Sequence, residues 1–350
     1  MKDNLYKIPD FKRIDPFLMS INSADNHWMY ISSTGCLTAG RGQAKYALFP
    51  YVTDDLLHQN AHYTGPSTHI LVEQNNKKYL WQPFSDQIES YKKEQNLYKN
   101  SLGNKIVFEE VNHSLGLTFL YSWQASSRYG FVKKTKLINH SEVKVKVKLI
   151  DGLKNILPAG LELRTQQEMS NLANAYKVSE CNPDYNYALY YMNALLMDKP
   201  DPGESLFSNM VWSFSDEKLE LSVNQKSINT FLNDQCFTSD LLIKGKEGSF
   251  LNYIEKSLDE DHEMCWYIVA DVQKSQSDIV RIVSDLKEHD TLKDKLEESI
   301  LDNHYEFEKN IGMADGFQCT NNNMNDLHHT ANVCLLYTSP SPRDLSTSRM

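Results

Sequence analysis

Long apolar runs are missing from this chain: nothing approaches the roughly 20 residues that a membrane helix requires. Residues 1–17 (MKDNLYKIPDFKRIDPF) carry charges with no apolar stretch behind them, which is not the pattern of a secretory leader. Cysteine is sparse. Cys36, Cys181, Cys236, Cys265, Cys319 and Cys334 include no Cys-x-x-Cys pair, and their spacings are wide and irregular. A disulfide framework or a zinc knuckle needs closer pairing, so reduced, mostly buried thiols are expected. Positive charge is also in deficit, with 36 Lys and Arg against 46 Asp and Glu, and no basic block stands out. Nucleic acid is therefore excluded as the main partner. The expectation is a soluble, cytoplasmic protein with no membrane partner.

What is present is strand. Residues 143–150 (VKVKVKLI) put Val143, Val145, Val147 and Leu149 on one face and Lys144, Lys146 and Lys148 on the other. That period of two marks a half-buried strand. Residues 68–73, 106–111, 117–123, 131–138, 219–223 and 264–272 follow the same logic. Turn residues separate these runs: Gly65-Pro66, Asn75-Asn76, Gly103-Asn104, Asp201-Pro202-Gly203 and the stretch 245–248. Many strands without intervening helices of similar length predict a mainly β protein, a large antiparallel two-sheet sandwich over residues 1–272.

The pattern changes after Ser275. Ile279, Ile282, Val283, Leu286, Leu292, Leu296, Ile300 and Leu301 recur at three- and four-residue steps, predicting a helical linker over 273–311. A break is expected near His289-Asp290-Thr291, and a stop at Gly312. The apolar stripe is wide enough that the sandwich alone is expected to cover only part of it, leaving a patch that drives self-association. Residues 312–333 read as the start of a further domain. Residues 334–350 (CLLYTSPSPRDLSTSRM) switch to Ser, Thr, Pro and Arg and resemble translated sequencing-adapter DNA. They are expected to add nothing to the fold, and the natural chain is expected to continue past Val333.

Familiar site patterns fail on inspection. The run 35–42 (GCLTAGRG) has nearly P-loop spacing but ends in Arg41-Gly42 rather than Lys-Ser/Thr, so it is read as a tight turn. His58 and His62 lack the glutamate and third ligand of a zinc helix, and His328-His329 cannot share one helix face. The acidic run 259–263 lacks the alternation and glycine of a calcium loop. The lysines of 133–148 are read as the outer face of two strands. No metal or organic cofactor is predicted. Aromatics are plentiful, with 19 Tyr, 14 Phe and 5 Trp, and sugar rings stack on aromatic faces. Trp28, Arg41, Trp81, Gln82 and Trp123 are the carbohydrate-binding candidates. Core packing is the competing reading for the aromatics.

Trp81-Gln82-Pro83 resembles the Trp-Ser-Pro element of the N-terminal domain of cellobiose and cellodextrin phosphorylases. Residues 131–139 (FVKKTKLIN), followed by the VKVKVK strand, resemble a β-hairpin of that domain. Residues 151–158 and 314–320 resemble segments of cellobiose-phosphorylase-like proteins. The similarity is one of pattern and covers most of 20–333, with Gln82 standing where that family has Ser. It implies a β-supersandwich related to galactose mutarotase, a helical linker, and the start of a truncated (α/α)6 barrel. It further implies an inverting glycoside phosphorylase or hydrolase whose acid lies in the barrel beyond Val333, so no catalytic residue is assigned within this chain. Inorganic phosphate would be the co-substrate of a phosphorylase, and an oligosaccharide or glucoside the substrate. The missing barrel and a possible second copy of the chain would be its protein partners. The alternatives are a free-standing carbohydrate-binding or scaffolding sandwich, or a sugar mutarotase using His113 with Glu109 or Glu110.

Overall fold

A computed structural model describes residues 5–85, 91–194, 206–234 and 236–338. The period-two runs form strands, each close to its expected place and several of them longer. Residues 68–73 lie within Gly65–Gln74, residues 117–123 within Leu117–Ser126, and the VKVKVK run extends into Val145–Ile156. Gly65-Pro66 opens a strand rather than a turn. Asn75 and Asn76, both at positive φ, close the two-residue hairpin between Gly65–Gln74 and Lys77–Trp81. That is the conformation such a tight turn demands. The expected turn at Asp201-Pro202-Gly203 lies outside the described residues.

Two large antiparallel sheets dominate, so the fold is mainly β as expected. The ten-stranded sheet runs Leu5–Ile8, Lys93–Asn100, Ile106–Asn112, Leu117–Ser126, Gly130–Asn139, Glu263–Ser275, Phe207–Ser215, Tyr187–Met192, Lys177–Asn182, Leu242–Lys244. The five-stranded sheet runs Glu220–Ser222, Gly248–Leu258, Val145–Ile156, Gly65–Gln74, Lys77–Trp81. A three-stranded sheet of Leu18–Ile21, His27–Ser32 and Leu37–Arg41 joins them. Alternate residues of all three meet in one core, where Ile70, Leu149 and Ile254 face Phe119, Leu137 and Trp266. The expected pairing of 131–139 with the VKVKVK strand is not found. Gly130–Asn139 pairs with Leu117–Ser126 and Glu263–Ser275, whereas Val145–Ile156 pairs with Gly65–Gln74 and Gly248–Leu258 in the other sheet. The loop between them carries the chain across the sandwich instead of closing a hairpin.

Helices follow the last strand. Ser275 and Asp278 form a reciprocal cap at the head of Gln276–Lys287. Glu288 breaks the helical path, and His289–Met313 continues, so the interruption falls where expected. Gly312 is inside the last turn and does not end the helix. The apolar stripe is also better covered than expected. Ile282, Leu286, Leu292, Leu296 and Ile300 are buried on Tyr129, Val132, Met210, Trp212, Phe214, Tyr267 and Val269, the outer face of the ten-stranded sheet. The sheet therefore supplies the partner that most of the stripe needs, with Leu301 left exposed. The boundary drawn at Cys334 also shifts. The helix Asn323–Thr338 runs through it, and Cys334 is buried with Leu102, Phe307 and Ile311. None of the six cysteines forms a disulfide, and only Cys36 and Cys334 are fully buried. The expectation of mostly buried thiols was too broad.

Candidate functional site

The strand Gly65–Gln74 has two faces. Thr68, Ile70 and Val72 point between the sheets, and Ser67, His69 and Leu71 point away. Where this strand meets the end of Val145–Ile156, a groove of about 580 Å³ opens, lined among others by His58, Thr68, His69, Gln82, Tyr121 and Lys154. Its described lining contains three histidines and two lysines but no carboxylate.

Lys154, His58 and His69 are each held by a polar neighbour. Lys154 Nζ donates to the carbonyl of His62 at 2.6 Å, and burial pulls its pKa down to about 8. Asn155, next along the chain, has φ 58 and marks the shift of register against Gly248–Leu258. His58 Nδ1 lies 2.6 Å from Ser32 Oγ. His69 Nε2 lies 3.1 Å from Ser67 Oγ, while Nδ1 is buried with no partner among the described residues. Burial first, and the Lys154 cation second, lower its pKa to about 4, so the ring is neutral at physiological pH. A neutral imidazole can both donate and accept a hydrogen bond.

Under the groove lies a buried ion pair. Lys133 Nζ donates to both carboxylate oxygens of Asp151 at 2.7 Å, and both side chains are 0% exposed. Thr68 Oγ1 and Trp266 Nε1 donate to the same carboxylate, each at 2.7 Å, and the Lys133 ammonium sits 5.2 Å from the centre of the Tyr121 ring. Thr68 and Tyr121 thus belong both to the groove and to this network. Lys133 had been placed on an outer strand face with its neighbours, and the structure corrects this. Lys134, Lys136, Lys144, Lys146 and Lys148 do face outward, to Glu297, Glu263, Asp259 and Glu255. Lys133 faces inward, in phase with Phe131 and Leu137.

The five carbohydrate candidates part company. Gln82 lines the groove. Trp81 is 1% exposed and Trp123 0%, both within the central core. Neither presents a ring face to a sugar, so core packing is the correct reading for both. Trp81 has a different part to play. Its Nε1 donates to Glu110 at 2.6 Å, and Glu110 also accepts from Phe84 N and Gln95 Nε2. This fixes the turn 82–84, with Phe84 at φ 62, and holds Gln82 at the groove's edge. Trp28 is 3% exposed and packs edge-on against Tyr51, so it too offers no free face. Arg41 lines a separate hollow with Asn26 and Lys274.

The His113–Glu pair considered for a mutarotase does not form. His113 contacts exposed Glu94, Glu109 accepts from Asn96 and Tyr98, and Glu110 is buried beneath Trp81. Among the described residues, no group of three or more His, Cys, Asp or Glu side chains could hold a metal ion.

No protein-family profile matches the sequence, and no curated protein matches it. Solved structures with a related chain path include a candidate kojibiose phosphorylase from the human microbiome, with a TM-score of 0.38 and 11% identity over 68% of this chain and 27% of that one. A bacterial glucoamylase solved with acarbose gives 0.40 and 12% identity over 92% and 39%. A candidate aldose 1-epimerase from Klebsiella pneumoniae gives 0.35 and 10% identity over 81% and 96%. The chain spans 27% of the length of the first and 39% of the second.

Proposed function

We propose that the groove binds a neutral carbohydrate, and that the chain is the non-catalytic β domain of a carbohydrate-active enzyme. The observation that carries this reading is the groove's composition. Neutral His69, Gln82 and the Lys154 ammonium offer donors and acceptors for hydroxyls, in a wall that also holds Phe84 and Ile228. Glycoside cleavage needs two carboxylates flanking the bond, and the described lining supplies none. The pattern shared with cellobiose phosphorylases favours an inverting glycoside phosphorylase or hydrolase as the whole enzyme. Its acid would be in an (α/α)6 barrel, and inorganic phosphate would be co-substrate in the first case.

Calorimetric titration with cellobiose and maltose tests the groove. The expected result is saturable binding that His69→Ala and Gln82→Ala each weaken roughly tenfold, as loss of a good hydrogen bond would. Absence of binding to either sugar, or unchanged affinity in both variants, overturns the assignment. Glucoside turnover that vanishes on replacing one carboxylate within 1–333 overturns the non-catalytic role.

A further inference from the structure

The turn 41–46 builds a second concave site of different chemistry. Gly40 has no room for a side chain, because a Cβ there would lie 2.4 Å from both the Trp28 ring and the Tyr46 carbonyl. Gly42 follows at φ 61. The two glycines hold Arg41 at the mouth of a hollow of about 520 Å³, walled by Tyr46, Phe207, Gln273 and Lys274. Arg41 Nε and Nη2 donate to the two oxygens of Asp271 at 2.7 and 2.9 Å, and Nη1 donates to Asn26. Lys274 Nζ also contacts Asp271. That carboxylate accepts from Val272 N as well, so its lone pairs are used up. Lys45 adds a third cation, its Nζ 5.0 Å from the centre of the Tyr46 ring. Among the described residues, Asp271 is the one carboxylate within 4 Å of Arg41 or Lys274. The nearby Asp278 is engaged by Arg281 and Ser275, and Asp25 by Asn303. Two lining cations therefore share one saturated carboxylate, with Lys45 beside the Tyr46 wall, in a chain whose net charge is −10.

We propose that this hollow binds a compact oxyanion, phosphate or sulfate, either free or carried on a small sugar. The buried Asp271 orients Arg41 and Lys274 rather than neutralising them. Their remaining N–H groups and Lys45 supply charge-assisted donors. Tyr46 and Phe207 place aromatic surface in the wall beside whatever the oxyanion is attached to.

Thermal-shift and calorimetric titrations of the 350-residue chain at low salt test this with inorganic phosphate, sulfate, glucose 1-phosphate and glucose. The oxyanions are expected to raise the unfolding temperature and glucose to leave it unchanged in a His69→Ala background, which removes the sugar groove from the readout. Tighter binding of glucose 1-phosphate than of inorganic phosphate would assign the sugar-borne source, and equal binding the free ion. Lys274→Gln and Lys45→Gln should each weaken oxyanion binding roughly five- to tenfold, as loss of a charge-assisted bond implies. Lys45 is exposed, so its variant stays folded if Lys274→Gln does not. Lys144→Gln, on the far sheet, should have no effect. No stabilisation by any oxyanion, or equal loss in the Lys144 and Lys45 variants, overturns the proposal.

Discussion

Replacing Lys133 with methionine isolates the energetics of the buried pair. The methionine fills the lysine stem's volume but removes the ammonium. Asp151 then keeps the Thr68 and Trp266 bonds and loses both of its 2.7 Å ionic contacts, while remaining 0% exposed. An uncompensated charge in such a site costs about 3–5 kcal/mol. A protein of this kind has about 5–15 kcal/mol in total, so the variant should unfold at a much lower urea concentration. The double variant Lys133→Met/Asp151→Asn should recover at least ~2 kcal/mol of that loss. Its amide oxygen can take the place of the carboxylate oxygen that accepts from Trp266, its NH2 then donating to the Thr68 hydroxyl, and no charge is stranded. Urea unfolding followed by tryptophan fluorescence reads Lys133→Met, Asp151→Asn and the double variant, since Trp266 is itself a partner of Asp151. A cost below ~1 kcal/mol for Lys133→Met, or losses that simply add in the double variant, would refute the reasoning.

Acid should weaken the fold through two histidines. Burial holds His27 at about 3 and His69 at about 4 against an ordinary 6.5. Their contribution is intact above pH 6.5 and is lost as pH falls toward those values, by ~2 kcal/mol each at pH 5. Urea midpoints measured from pH 7 to 5 should fall, and the fall should be shallower in His27→Gln and His69→Gln; equal slopes in parent and variants would contradict it. The long helix should behave as core rather than as a loose flank. Leu296→Ala should cost about 2–5 kcal/mol and Leu301→Ala, at an exposed position, under ~0.5. Thermal unfolding that ranks the two equally would show that the helix is not docked on the sheet.

Most of the β architecture was legible because alternation reports burial directly. The same alternation carried the signal for the buried pair. In FVKKTKL, Lys133 is in phase with Phe131 and Leu137, and Asp151 continues the series Val145, Val147, Leu149. Reading the lysines as one cluster by composition, instead of one by one by phase, hid the exception. Sheet partnership was less legible. Residues 131–139 and the VKVKVK strand follow one another in sequence yet lie in opposite sheets, because local pattern fixes which face is buried and not which strand is adjacent. The groove depends on such long-range placement. His69 is held neutral by burial between the elements around it first, and by Lys154, 85 residues on, second. The tryptophans misled for a simple reason: an indole suits a sugar face and a sandwich core equally well, and only burial separates the two roles.

The charge of the whole chain likewise says little about its concave surfaces. An excess of ten acidic groups argues against nucleic acid, yet both hollows described above are lined by cations and poor in carboxylates. The acidic surplus is spent elsewhere, as in Glu255 and Asp259 facing the outer lysines and Glu297 facing Lys134. Concave walls of low polarisability focus the field of the few charges they contain, so local sign governs what enters each site. In the groove the nearest buried charges cancel, since Lys133 and Asp151 neutralise one another beneath Thr68. What remains is Lys12 and Lys154, each already donating to a backbone carbonyl, among neutral hydrogen-bonding groups, which suits a polyhydroxy ligand. Around Arg41 the single carboxylate is outnumbered, and the same reasoning selects an anion. The two sites therefore differ in ligand class because the groove's lysines are turned onto backbone carbonyls, whereas two cations around Arg41 share one carboxylate.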